Sequence, residues 1–371
     1  MKVLQFICPT GFYGAERWVL ALGKHLLDRE GIQCDLAVTH ESEDQNLKLV
    51  HEYDKTAGIT HLIPMSGRFD LGVIDKLVTL IKDQDYDIIH THGYKSDILG
   101  VWAARKAGIK CVVTPHGFEN TSDLKLRLFI WLGCQAMRFA DVVAPLSTQL
   151  CEDVKKYAGQ GKGSKLRYIQ NGVDLMEVEA QRQKPLQLNK PEGEKWVGFI
   201  GQMISRKNID DILTIFDSLS AKHPNLKLKL LGDGELRPAL EEKARKLASS
   251  KNIEFLGFRD DRLDYLQAFD LFVMTSTLEG IPRCLMETMA MGIPVAAYDI
   301  AGIDQLISHN KTGMLAKLHD KENLEKHWEA LLFNKDLATN IVQQGREFVL
   351  ENYSAQRMAD EYVELFEEML G

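Results

Sequence analysis

Short runs of Val, Ile and Leu alternate along the chain with longer stretches in which apolar residues recur every three or four positions, a pattern that predicts βαβ units around a parallel sheet. The pattern occurs twice. Its first pass predicts strands over Val3–Ile7, Asp35–Thr39, His61–Ile63, Ile88–His90, Cys111–Thr114, Val142–Ala144 and Arg167–Ile169, with helices such as Ala15–Arg29 and Lys95–Ala107 between them. The second predicts strands over Trp196–Ile200, Lys227–Leu231, Ile253–Leu256, Leu271–Met274 and Val295–Tyr298. Between the passes, Glu177–Glu194 is polar, holds Pro185 and Pro191 and follows neither period, so it reads as a linker. The chain is thus expected to form an α/β protein of two doubly wound domains, residues 1–180 and 191–354. The last 17 residues, Ala355–Gly371, carry Met358, Tyr362, Leu365, Phe366 and Met369 at helical spacing, an apolar stripe that must pack on something. Doubly wound sheets bind ligands at the carboxyl ends of their strands, so the chemistry is sought there.

Composition fits this picture. The 371 residues suffice for two domains, and 45% hydrophobic with 26% charged residues describes an ordinary globular chain. The net charge of -8 divides unevenly: residues 1–190 carry 24 Lys/Arg against 23 Asp/Glu, and residues 191–371 carry 21 against 30. That balance disfavours general nucleic-acid binding, which needs excess positive charge. Cys8, Cys34, Cys111, Cys134, Cys151 and Cys284 form no C-x-x-C pair and read as reduced thiols of a cytoplasmic protein. The apolar start Val3–Cys8 is expected to be a first strand rather than a signal peptide, and no apolar run approaches the roughly 20 residues of a membrane span.

The strongest chemical signal is Glu279-Gly280-Ile281-Pro282-Arg283-Cys284-Leu285-Met286-Glu287, which follows a predicted strand. Pro282 suits the first position of a helix, whose amides, with those of Gly280 and Ile281, would attract phosphate. Glu279 and Glu287 could accept hydrogen bonds from a ligand's hydroxyls, although a solvated loop acid and a surface helix acid have the same spacing. After the strand Trp196–Ile200, Gly201 permits a sharp turn, and Arg206 and Lys207 could neutralise a diphosphate or open a helix as basic residues. In the first half, Gly11-Phe12-Tyr13-Gly14-Ala15-Glu16-Arg17 joins strand to helix without the G-x-G-x-x-G spacing of a dinucleotide fingerprint. His116, in Thr114-Pro115-His116-Gly117-Phe118, could donate to a sugar hydroxyl, carry a proton, or be structural. Gln170-Asn171-Gly172-Val173-Asp174 by itself is turn chemistry.

Taken in order, the loop from Gly11 to Arg17, Pro115-His116-Gly117, Asn171-Gly172-Val173-Asp174, the loop from Gly201 to Lys207, Leu231-Gly232-Asp233-Gly234-Glu235, Phe255-Leu256-Gly257 and the segment from Glu279 to Glu287 resemble the retaining glycosyltransferases of family four. The resemblance covers nearly the whole chain and implies the GT-B fold, with a final helix that crosses back to the first domain. It implies a donor of UDP- or GDP-sugar type on the second domain, a glycan or lipid-linked acceptor on the first, and no metal or other cofactor. Arg206 and Lys207 would then neutralise the diphosphate, Glu279 would touch the donor sugar and Glu287 the ribose. His116 would face the donor sugar, Gly14 would admit acceptor or phosphate, and Asn171, Gly201, Gly280 and Ile281 would complete the donor contacts. Many relatives read G-R-L where this chain has Gly201-Gln202-Met203, leaving the positive charge to Arg206 and Lys207.

The implied activity is transfer with retention in cell-envelope polysaccharide or lipopolysaccharide synthesis, at the cytoplasmic face of a membrane. A sugar-nucleotide epimerase or hydrolase and a non-catalytic sugar-nucleotide-binding subunit are the alternatives. Acceptor loops are sought at Glu41–Asp54 and Gly117–Asp123. Leu124–Leu132, which mixes cations with bulky apolar residues, suits either peripheral membrane contact or a helix packed on the sheet.

Overall fold

A computed structural model of the protein describes residues 1–9, 11–67, 70–117, 124–157 and 165–371, with residues 124–126 described by backbone alone. The chain forms two compact units, Met1–Val173 with Ala355–Gly371, and Asp174–Ser354.

The first unit is built on a parallel sheet of strands β1 (Lys2–Ile7), β2 (Gln33–His40), β3 (Thr60–Pro64), β4 (Ile88–His92), β5 (Lys110–Thr114), β6 (Val142–Val143) and β7 (Lys165–Leu166), in the order β3-β2-β1-β4-β5-β6-β7. Near-continuous burial along β1, β2 and β4 explains their unbroken apolar runs, because helices cover both faces of a parallel sheet. The expected strand Arg167–Ile169 falls two residues later than β7. The amides of Arg167 and Ile169 do donate to the carbonyls of Val143 and Pro145, but Pro145 has no N–H to return and regular pairing lapses.

The second unit holds β8 (Lys195–Ile200), β9 (Leu226–Leu231), β10 (Ile253–Gly257), β11 (Leu271–Met274), β12 (Val295–Asp299) and β13 (Met314–Lys317), also parallel, in the order β10-β9-β8-β11-β12-β13. β13 was not foreseen: its four residues, Met-Leu-Ala-Lys, are too few for a period to show. The expected linker begins as a helix, Leu175–Arg182, capped by the Asp174 carboxylate on the amide of Glu177. That helix belongs to the second unit.

Strand order reverses between β1 and β4 in the first sheet and between β8 and β11 in the second. A crevice opens at such a reversal, outside the carboxyl ends of the strands. The loops after β1 and β8 hold Gly11–Gly14 and Gly201–Lys207, and the loop after β11 leads to Glu279, so candidate residues of both units lie at these switch points.

The closing helix Ala355–Leu370 completes the first unit. Ala355, Met358, Ala359, Tyr362, Leu365 and Phe366 are buried in its core beside Trp18, Leu22 and Val112. The Tyr362 hydroxyl meets Thr114 Oγ1 at 2.8 Å, and Arg357 donates to the carbonyl of Gln170 at 2.7 Å. No helix among the described residues is long and apolar enough to cross a membrane.

Candidate functional site

Glycines knit the loops of the second unit together backbone to backbone. A Cβ on Gly232, whose φ is +124°, would stand 1.9 Å from the carbonyl oxygen of Gly201, and one on Gly234 would stand 2.6 Å from that of Met203. Gly201 and Met203 donate in turn to the carbonyls of Leu231 and Asp233. The Gly201 amide is therefore spent on the fold, and the residue serves the expected tight turn.

Arg206 and Lys207 lie in a single 3-10 turn, Ser205–Lys207, ahead of the helix Ile209–Lys222. They do not open that helix as its basic first turn: Asn208 intervenes with φ and ψ both near +48°, and Asp210 and Asp211 occupy the turn instead, where acids suit the helix dipole. The loop after β11 clasps this turn. The Thr277 amide and hydroxyl donate to the carbonyl of Arg206, and the Thr275 hydroxyl donates to that of Asn208.

The clasp brings Glu279 to both cations. Lys207 Nζ lies 2.5 Å from Glu279 Oε1, and Arg206 Nη1 lies 3.1 Å from Oε2. Glu279 and Lys207 are buried, whereas the Arg206 side chain is 39% exposed. Burial alone would raise the Glu279 carboxyl, but the charges of Lys207 and Arg206 outweigh it and hold the group below its ordinary value. Glu279 is therefore not a solvated loop acid. Two cations thus share one buried carboxylate, which leaves one positive charge in excess, and the Arg206 guanidinium is the part of the cluster that reaches solvent.

Glu287 is 2% exposed and differently engaged. Its Oε1 accepts from Arg262 Nη2 at 2.9 Å and Arg283 Nε at 2.7 Å, and its Oε2 from Arg262 Nε at 3.3 Å. Burial works to raise this carboxyl, and the two arginines overcome it and bring it down to about 2. Three of roughly four acceptor positions are filled by side chains, which leaves one on Oε2. Arg283 stands four positions before Glu287 on the same helix, a spacing that pairs them, whereas neither spacing nor period links residue 262 to residue 287 before the fold does. The helix itself runs Arg283–Met291 with Pro282 as its cap rather than its first residue, because the ψ of Pro282 is extended at 120°. No side chain caps it. Ile281 is buried, while Gly280 has open space where a Cβ would stand.

In the first unit, packing accounts for most of the loop after β1. A Cβ on Gly11 would strike the Tyr13 ring at 2.3 Å, the Glu16 carboxylate accepts from the Tyr13 amide at 2.9 Å, and Arg17 lies over Phe12. Gly14 is different: it is helical, and nothing lies within 4 Å of the place a Cβ would take. Gly14 and Gly280 thus share open space where a side chain would stand, and neither a positive φ nor packing requires glycine there.

His116 sits just beyond β5, half-buried, with its Nε2 at 3.2 Å from His92 Nδ1. Burial pushes its imidazole down to about 4. His90 and His92, buried on β4, are likewise held well below the ordinary histidine value by burial and by the neighbouring imidazoles, so the three rings are neutral at neutral pH. Asn171 closes its own turn, its Oδ1 accepting from the Gly172 amide at 2.8 Å, and its carbonyl accepts from Arg357 of the closing helix. In the expected acceptor loop Glu41–Asp54, residues from Lys48 onward form the helix Lys48–Thr56. The other, Gly117–Asp123, lies outside the described residues beyond Gly117. The six cysteines are free thiols, with Cys34, Cys111 and Cys134 buried and the other three partly so.

Two family models match successive parts of the chain: Glycosyltransferase Family 4 over residues 12–177 and Glycosyl transferases group 1 over residues 180–348. Among curated proteins, the chain is 29% identical over 319 residues to the UDP-Gal:alpha-D-GlcNAc-diphosphoundecaprenol alpha-1,3-galactosyltransferase of Escherichia coli, covering 81% of this chain and 80% of that one. It is 25% identical over 310 residues to the N-acetyl-alpha-D-glucosaminyl L-malate synthase of Bacillus anthracis, with the same coverage of each. Among solved structures, HepE of Anabaena in complex with UDP-glucose superposes with a TM-score of 0.83 at 20% identity, over 99% of this chain and 100% of that one. Matched along both halves and sharing the two-sheet GT-B fold, the chain belongs to the group 1, family 4 glycosyltransferases.

Proposed function

We propose that the protein transfers a sugar, with retention of anomeric configuration, from a UDP- or GDP-sugar to a glycan or lipid-linked acceptor of the cell envelope. The observation that carries this reading is the buried Glu279–Lys207 pair with the partly exposed Arg206 beside it, next to Gly280 and an uncapped helix start. When the donor's diphosphate enters, Arg206 and Lys207 take the negative charge that grows on it as the sugar–phosphate bond breaks. Glu279, released in part from Lys207, accepts from a hydroxyl of the donor sugar. Glu287 uses its remaining acceptor position on Oε2 for the ribose. On the first unit, His116 contacts the donor sugar and Gly14 admits the acceptor. The leaving diphosphate deprotonates the acceptor on the same face, so charge neutralisation rests on cations of the protein without a metal. Names of relatives support the substrate class: the Escherichia coli protein uses UDP-Gal and a diphosphoundecaprenol-linked acceptor. A peripheral membrane position suits such an acceptor, and Leu128, Trp131 and Leu132 stand exposed on the helix Leu124–Met137 beside Arg127.

The test is incubation with a panel of UDP- and GDP-sugars and diphospholipid-linked sugars in EDTA, with the new linkage read by NMR. An α-linked product from an α-linked donor supports the proposal. An inverted linkage would overturn retention, and donor cleavage without transfer would make the protein a sugar-nucleotide hydrolase.

A further inference from the structure

We propose that His92 is a positioning residue: a line of hydrogen bonds from Gln5 through His92 to His116 fixes the His116 ring with its proton on Nε2 and a bare lone pair on Nδ1. The functional meaning of that lone pair rests on the placement of His116 at the donor sugar.

The argument starts from Gln5, which is fully buried in β1. Its amide nitrogen lies 3.6 Å from Cys34 Sγ, and its carbonyl oxygen Oε1 lies 2.6 Å from His92 Nε2. A carbonyl oxygen has no proton to give, so His92 Nε2 must carry one. His92 is neutral, and a neutral imidazole has a single ring proton. Its Nδ1 is therefore bare and can only accept. The partner at 3.2 Å, His116 Nε2, must then be the donor. That spends the one proton of His116 on the interior and leaves its Nδ1 unprotonated, and no hydrogen bond among the described residues engages that atom.

Packing fixes the line. Trp18 lies against both rings, at 5.2 Å from His92 and 5.1 Å from His116 between centroids. His90, although its ring lies 4.3 Å from that of His92 at a 50° tilt, is bonded elsewhere: its Nε2 meets Thr114 Oγ1 at 2.7 Å, so it does not compete for either end of the line. Towards substrate, His116 is consequently an acceptor. A sugar hydroxyl would donate to Nδ1, the reverse of a histidine that polarises a leaving group by donation.

Long-range proton–nitrogen NMR of the full chain labelled with 15N-histidine reads the tautomer directly, with the His116 signals identified by their loss in His116→Ala. The expected spectrum at pH 7 shows His116 protonated only on Nε2. Gln5→Met, which removes the acceptor, and His92→Phe, which removes the partner of His116 Nε2, each turn it into a tautomer mixture. Protonation on Nδ1 or a mixture in the unsubstituted protein would overturn the proposal, as would a Gln5→Met spectrum identical to it. Should Gln5→Met fail to fold, the spectra of the unsubstituted and His92→Phe proteins decide the matter. No nucleotide sugar is present, so the result stands whether or not the chain proves to transfer one.

Discussion

At the scale of single residues, burial decides what each charged group can do. Glu279 and Glu287 read alike in the sequence, as two acids eight positions apart, yet the fold gives one a lysine and an arginine and the other two arginines. The Glu287 carboxyl has an ordinary value of 4.5 and is held at about 2 in the folded chain. Its contribution is therefore complete above pH 4.5 and is lost as the pH falls towards 2, a change of order 3 kcal/mol at about 1.4 kcal/mol per pH unit. Denaturant titrations of the second unit from pH 6 to pH 2.5 should show this loss, and Glu287→Gln should flatten it while lowering stability at pH 6. Equal acid sensitivity in the two proteins would mean that the arginines do not hold the carboxylate. The pairing of Arg262 with Glu287 could not be read beforehand, because it joins two helices that meet only after β10 and β11 have folded into one sheet.

Among the elements, the loops after β1, β8 and β11 set the chemistry, and their glycines separate into two kinds. Gly232→Ala forces a Cβ onto the Gly201 carbonyl at a φ of +124°, and the second unit should lose more than about 1 kcal/mol. Gly14→Ala meets open space on a helix, so thermal melting should be unchanged or slightly raised, while transfer falls because the new methyl occupies the path of the ligand. A Gly14→Ala protein with full activity would remove Gly14 from the site. Strands with four or five buried residues in a row, such as β8 and β1, were legible from their apolar runs. Among short strands the wholly apolar β11 was legible too, but two were not: β13 mixes apolar residues with Lys317 over four positions, and β7 lies beside Pro145, whose missing amide breaks the ladder. Glu279, Lys207 and Arg206 were legible individually, as acid and bases at strand ends. Their meeting depends on the clasp of Thr275 and Thr277, which local spacing does not encode.

For the whole molecule, the chain crosses between its units twice, after Val173 and after Ser354, and the second crossing returns a helix to the core where the chain began. Met358, Tyr362 and Phe366 are fully buried there. Phe366→Ala should cost the first unit about 3–5 kcal/mol and lower its melting transition while leaving that of the second in place. A shift of both transitions would show that the units do not melt separately. The central claim concerns the second unit: a buried carboxylate holds two cations ready for a nucleoside diphosphate. Calorimetric titration of UDP and GDP into the unsubstituted protein and Arg206→Ala tests it most directly. One of the two nucleotides should bind, and loss of the charged hydrogen bond should weaken it by about 10- to 100-fold. Binding of neither nucleotide, or equal affinity in Arg206→Ala, would contradict the account.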